Sequence, residues 1–192
     1  MIVEGNDEMF KQTRYETERL YLRILKPSFG RQILEYYKRN QSFLKEWDPK
    51  HDSDFYTVSY HRNNLKNEYY LFKDGKLIRF WIVNKETNKI IGNVCCSNII
   101  MGNFKSCFLS YKLDKDEINK GYITEAIKKV VQIMFNEYDL HRIEVNIIPR
   151  NARSLRVVEK LGFEREGFSK RYLEINGVWE DHVHFAIYND EI

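Results

Sequence analysis

Residues 117–126 read EINKGYITEA, with Asn119, Lys120, Gly121 and Thr124 gathered where one element ends and the next begins. The first turn of a helix has backbone N–H groups without intrahelical partners, and with a lysine alongside it suits an anion such as a phosphate. The plainer alternative is a glycine turn followed by Thr124 as an ordinary helix cap. Three histidines could also move protons: His141, His182 (in the pair Asp181-His182) and His184. A histidine on a closing strand is more often a structural hydrogen-bonder. Cys95, Cys96 and Cys107 are odd in number and lack metal-ligand spacing. Neighbouring strand residues point to opposite faces, so Cys95 and Cys96 cannot readily share an ion; all three are expected to be reduced packing groups, and no metal is expected.

These residues need elements to position them. LYLRIL at 20–25 alternates as a strand does, and Pro27 then opens a helix with an apolar stripe through Ile33, Leu34 and Tyr37. The segment 43–75, rich in Tyr, Asn, Lys and Asp, is expected to form helical pieces and loops beside a cleft. LIRFWIVN (77–84), KIIGNVCCSNII (89–100) and SCFLSYKL (106–113) are predicted strands joined by turns. From Ile123 to Tyr138 apolar residues recur at helical spacing. RIEVNIIP (142–149) is a strand with Arg142, Glu144 and Asn146 on one face. A helix over 151–161 ends at Gly162, and Asn176-Gly177 turns a closing hairpin. The unit 106–148 is strand–helix–strand, a crossover that implies parallel pairing and puts 117–126 at a strand's carboxyl end, where open α/β sheets bind ligands.

A chain of 192 residues fits one domain, here 16–192 behind a polar arm or short helix over 1–15. With 43% hydrophobic residues and a net charge of only +3, it is neither disordered nor strongly basic, so direct nucleic-acid binding is not expected. MIVEGNDEMFKQ lacks the basic stretch and apolar run of a secretory signal, and no apolar segment approaches the ~20 residues that span a bilayer. A soluble, cytoplasmic protein without a membrane partner is expected.

Taken together, GYITEA, PRNARSLRVVEKLGF and GVWEDHVHFAI resemble the GNAT superfamily of acetyl-CoA-dependent N-acetyltransferases. TERLYLRIL and NQSFLKEWDP are similar to its Rim-type branch, which acetylates the N-terminal residue of ribosomal proteins. The resemblance covers roughly residues 16–188. It implies a mixed α+β fold with about four helices and a mostly antiparallel sheet of about seven strands, split where the fourth and fifth (106–113 and 142–148) diverge around acetyl-CoA. The family's phosphate loop, Gln/Arg-x-x-Gly-x-Gly/Ala, falls on Ile118–Ile123. Gly121 matches, whereas Ile118 and Ile123 depart from the pattern. Because amides rather than side chains bind the diphosphate, the loop implied is Asn119, Lys120, Gly121, Tyr122, Ile123 and Thr124.

The resemblance further implies that Tyr111, Lys112 and Leu113 form an edge along which the two pantetheine amides pair as a short strand does. Asn151 bonds the pantetheine or simply caps its helix, and the two roles are compatible. A backbone N–H near Leu113 would stabilise the oxyanion. Many family members carry a Tyr seven residues after the Asn, to protonate the leaving sulfur. Val158 stands there, leaving Ser154 as substitute acid or first-turn residue. Glu144 is the candidate base; otherwise it is a carboxylate paired with Arg142 or Lys160. The acceptor is an amine, on a protein N-terminus or a small molecule such as an antibiotic, polyamine or amino acid. It would be chosen by 40–72 and the final hairpin, with Trp47, Tyr56, Tyr60, Tyr69 and Tyr70 as pocket aromatics. A catalytically silent CoA-binding protein is the alternative, and the assembly is a monomer or homodimer.

Overall fold

A computed structural model describes residues 12–189. Its sheet runs β1-β2-β3-β4-β5-β6-β8-β7, where β1 is Arg14–Glu16, β2 Leu20–Arg23, β3 Leu77–Asn84, β4 Ile90–Ile100, β5 Ser106–Leu113, β6 Arg142–Ile147, β7 Glu164–Ile175 and β8 Val178–Tyr188. Neighbours are antiparallel except β5 and β6, which pair parallel. The helices are α1 (Gly30–Leu44), α2 (Val58–Lys73), α3 (Tyr122–Asn136) and α4 (Ala152–Lys160), with 3-10 turns at Pro27–Phe29 and Ser53–Tyr56.

The eighth strand is β1, which begins in the expected arm and pairs Arg14–Glu16 with Tyr21–Arg23 of β2. Three residues of polar character give no alternation to read. Its one buried side chain, Tyr15, packs edge-on against Phe80 at 5.5 Å and donates its hydroxyl to Glu137 at 2.5 Å. Residues 1–11 of that expected arm lie outside the described residues.

β3 explains the layering. Its run FWIV is buried on both faces because successive side chains alternate. Phe80 and Ile82 join Ala126, Ile127, Val130 and Met134 of α3 and Val158 of α4 in one core. Trp81 and Val83 join Ile33, Tyr36 and Leu44 of α1 and Leu65 of α2 in the other. Cys95, Cys96 and Cys107 are buried and free. Among the described residues no helix is long and apolar enough to cross a membrane.

Candidate functional site

The parallel pairing of β5 with β6 covers only Ser106–Phe108 against Arg142–Glu144. Beyond it β5 stays on β4 as far as Leu113 while β6 follows β8 to Ile147, so the sheet opens between them. Asp114 N–H bonds Ile91 O at 2.7 Å on the β4 side. Strand alternation therefore turns the N–H groups of Leu113 and Tyr111 toward the opening. This is the edge expected of Tyr111, Lys112 and Leu113.

Beyond β5 the chain is braced before it reaches α3. Asp114 is buried; its Oδ2 pairs with Arg39 Nε at 2.5 Å and its Oδ1 accepts from Asp116 N–H. Burial pushes its carboxyl up, but Arg39 and the Asp116 amide outweigh that and hold it below the usual carboxylate range. Lys115 N–H donates to the buried Asn40. Asn119 and Gly121 then take left-handed backbone angles, φ 62° and 82°, turning the chain sharply into α3. Gly121 occupies the cap position of α3 without a side-chain bond. The first helical bond is Glu125 N–H to Gly121 O, which leaves the amides of Tyr122, Ile123 and Thr124 ahead of it. Thr124 thus lies within the first turn and is not the cap. Lys120 is exposed and pairs with Glu117.

By contrast, α2 and α4 begin on capping side chains, Thr57 and Asn151. Asn151 Oδ1 accepts from Ser154 N–H at 3.2 Å, so the capping role is present. Ser154 also binds across the opening, its carbonyl accepting the Tyr111 hydroxyl at 3.1 Å. Desolvation raises Tyr111 to about 12. Val158 is fully buried in the α3 core.

Glu144 sits opposite Phe108, at the closed end of the opening, and accepts from Arg142 Nε at 3.0 Å. Arg142 reaches on to Glu166 and to the Tyr188 hydroxyl. Farther along β6, Asn146 Oδ1 accepts from His184 Nδ1 at 2.6 Å, the ring's Nε2 accepts from Ser169 Oγ at 2.8 Å, and Tyr172 packs edge-on to the ring at 4.9 Å. His182 is buried and bonds Glu180 O; desolvation lowers it from its ordinary value.

A cavity of about 420 Å³ lies beyond the end of β5, lined by Tyr37, Leu44, Asp48, His51, Tyr56 and Asn176 among others. Lys112 Nζ pairs with Asp48 at 2.6 Å, joining the β5 edge to this cavity. Asn176 of the β7–β8 turn donates to the carbonyls of Lys45 and Asp48, so the hairpin tip clasps the segment after α1. Of the five aromatics expected here, Tyr56 lines the cavity. Tyr60 and Tyr70 are exposed, Tyr69 packs near Phe72, and Trp47 lies under Arg150. The sequence reading missed Tyr37, Asp48 and His51. His51 stacks on Phe55 at 3.6 Å, a contact four residues along an irregular stretch and 3-10 turn, where no regular periodicity marks it.

A family model described as an acetyltransferase (GNAT) domain matches residues 19–164. The chain is 34% identical over 178 residues to the [ribosomal protein uS5]-alanine N-acetyltransferase of Escherichia coli, covering 92% of this chain and 91% of that protein. Its fold superposes with a TM-score of 0.89 on the ribosomal-protein-S5-alanine acetyltransferase of Vibrio fischeri, at 36% identity and over 94% and 98% of the two chains. It superposes with a TM-score of 0.84 on Mycobacterium smegmatis RimJ in complex with CoA-disulfide, at 26% identity and over 90% and 83%.

Proposed function

This chain belongs to the GNAT acetyltransferase family and is an acetyl-CoA-dependent N-acetyltransferase, and from that premise we propose that it acetylates the N-terminal α-amine of a protein, a ribosomal protein being the acceptor its relatives suggest. The observation that carries the site assignment is the opening of the sheet after Phe108 and Glu144, with the uncapped start of α3 at its mouth. The amides of residues 120–124 hold the diphosphate, and the free edge of Tyr111–Leu113 pairs with the pantetheine amides. Asn151 contributes its carboxamide, whose Nδ2 is not used in capping. The acceptor enters by the Asp48–Tyr56 cavity, between the segment after α1 and the β7–β8 turn.

In the ternary complex the neutral amine nitrogen attacks the thioester carbonyl carbon. The C–N bond forms, the C–S bond breaks, the nitrogen gives up a proton and the sulfur leaves as thiol. The Leu113 N–H stabilises the carbonyl oxygen as charge develops. Ser154 serves the departing sulfur, and Glu144, at the closed end of the opening, takes the amine proton along a chain of waters. An α-amine with pKa near ~7.8 costs about 1 kcal/mol to deprotonate at pH 7, against about 4.6 kcal/mol for a lysine near ~10.4. A carboxylate already engaged by Arg142 suits the smaller of these demands.

The test follows free thiol release from acetyl-CoA with N-terminal peptides of ribosomal proteins, polyamines and aminoglycosides. Faster turnover on the peptides than on the small amines is expected. The reverse order would reassign the acceptor to a small amine, and tight CoA binding without turnover on any of them would place the acceptor outside both classes. In the same assay Glu144→Gln is expected to lower the rate several-fold below about pH 7.5, where an α-amine is still partly protonated. An unchanged pH–rate profile would remove Glu144 from the base role.

A further inference from the structure

Glu125 places a carboxylate in the first turn of α3, at the end proposed to hold the diphosphate. Such a charge favours the helix dipole but opposes a second anion at the same place. Its position is not left to chance. Oε1 accepts from Thr17 Oγ1 at 2.6 Å and from Arg19 N–H at 2.9 Å, and Oε2 accepts from Arg19 Nε at 2.7 Å. Burial raises the carboxyl, but these donors outweigh it and hold Glu125 below its ordinary range.

The same Arg19 reaches the loop itself. Nη1 donates to Lys120 O at 2.9 Å, the guanidinium lies 4.5 Å from the centre of the Tyr122 ring, and Nη2 is 3.3 Å from where a Gly121 Cβ would stand. One side chain therefore touches residues 120, 122 and 125 and lies beside Gly121. Its own turn is fixed: Lys85 N–H bonds Arg19 O at 3.0 Å, and Lys85 Nζ bonds Thr17 O at 2.6 Å.

We propose that Arg19 is a positioning residue for acetyl-CoA: it binds the Glu125 carboxylate against the β1–β2 turn and holds the Lys120 carbonyl, keeping the start of α3 open and net favourable to the diphosphate. This rests on the reading of that mouth as the diphosphate site. The partners around Glu125 are Thr17 and Arg19 from the β1–β2 turn and Tyr122 beneath the guanidinium, with Lys120 itself turned to Glu117. Without the Arg19 side chain, Glu125 keeps only neutral donors, the Thr17 hydroxyl and the backbone N–H of residue 19, and its charge is no longer balanced beside the ligand.

Calorimetric titration with CoA, together with KM and kcat for acetyl-CoA, tests this on the full chain. Arg19→Ala is expected to weaken CoA at least tenfold and raise KM similarly, with kcat at saturation within about threefold. Adding Glu125→Gln to Arg19→Ala is expected to recover at least threefold of the lost affinity, because the unbalanced charge is gone. A merely structural role for Arg19 gives no such recovery. Thr17→Val, which keeps Arg19, is expected to weaken CoA in the same direction by a smaller factor, and it serves if Arg19→Ala proves unstable. Unchanged CoA affinity in Arg19→Ala, or equal weakening in the single and double variants, overturns the proposal. Gly121→Asp separates the two readings. If it binds CoA normally, the mouth is not the diphosphate site; if it loses CoA while Arg19→Ala does not, the mouth stands and Arg19 has no part in it.

Discussion

Replacing Gly121 with aspartate is expected to weaken CoA binding about a hundredfold or more, roughly 2.7 kcal/mol. Two like charges 4 Å apart repel by about 4 kcal/mol at an effective dielectric of 20, so one carboxylate beside the diphosphate suffices. The new side chain also starts 3.3 Å from Arg19 Nη2. If it pairs there, it draws Arg19 away from Glu125 and adds negative charge to the mouth all the same. Gly121 has φ 82°, which costs most residues about 1 kcal/mol or more but which asparagine tolerates better. Gly121→Asn therefore keeps the size and shape of aspartate without its charge, and its loss should stay within about tenfold. Calorimetry with CoA on both variants decides. Equal affinity in Gly121→Asp and the parent would mean that the diphosphate lies elsewhere.

The same glycine shows how far the sequence could be read. β3 and β5 match the predicted segments residue for residue and β4 begins one residue late, because long apolar runs bounded by turns leave little freedom of register. α3 is equally legible, since its apolar stripe packs on the sheet. β1 was not, as Arg-Tyr-Glu carries one apolar group and is ordered by pairing with β2. Over 43–75 the expected helical pieces and loops are present as the 3-10 turn Ser53–Tyr56 and α2, but the Asn, Lys and Tyr face of α2 hides its buried His61, Leu65 and Phe72 from a reading of the sequence. At the site, the loop was visible as a local pattern around Gly121. The groups that hold it were not: Arg19 lies 106 positions from Glu125, and Asp48 lies 64 from Lys112. Ion pairs across such separations leave no periodicity in a single chain.

Gly92 yields the second large effect, on rate and stability together. It pairs with Leu113 across β4 and β5, and a Cβ there would meet Lys112 O at 2.3 Å, Leu113 Cα at 3.2 Å and Leu113 Cδ1 at 3.3 Å. The first of these is a backbone oxygen, so no rotamer relieves it and the strands must part by about 1 Å. Overpacking of this kind costs about 1–3 kcal/mol, or a melting temperature lower by roughly 2–12 °C for a chain of this size. The displaced segment is the edge whose Leu113 N–H is proposed to meet the developing oxyanion. A misplacement of about 1 Å can cost roughly a hundredfold in rate, so Gly92→Ala is expected to lose about 10–100-fold in kcat. CoA affinity should fall less than the rate, through the pantetheine pairing only, since the diphosphate end at the mouth of α3 is braced separately through Asp114–Arg39 and Arg19–Glu125. Trimming Leu113 to alanine in the same chain should not restore the rate, because the contact with Lys112 O persists. Gly167→Ala is the control for stability: its Cβ would meet His184 Cδ2 at an ordinary 3.8 Å, and its melting temperature should barely move. Wild-type kcat in a folded Gly92→Ala would mean that chemistry does not use the β5 edge, whatever the mouth of α3 holds.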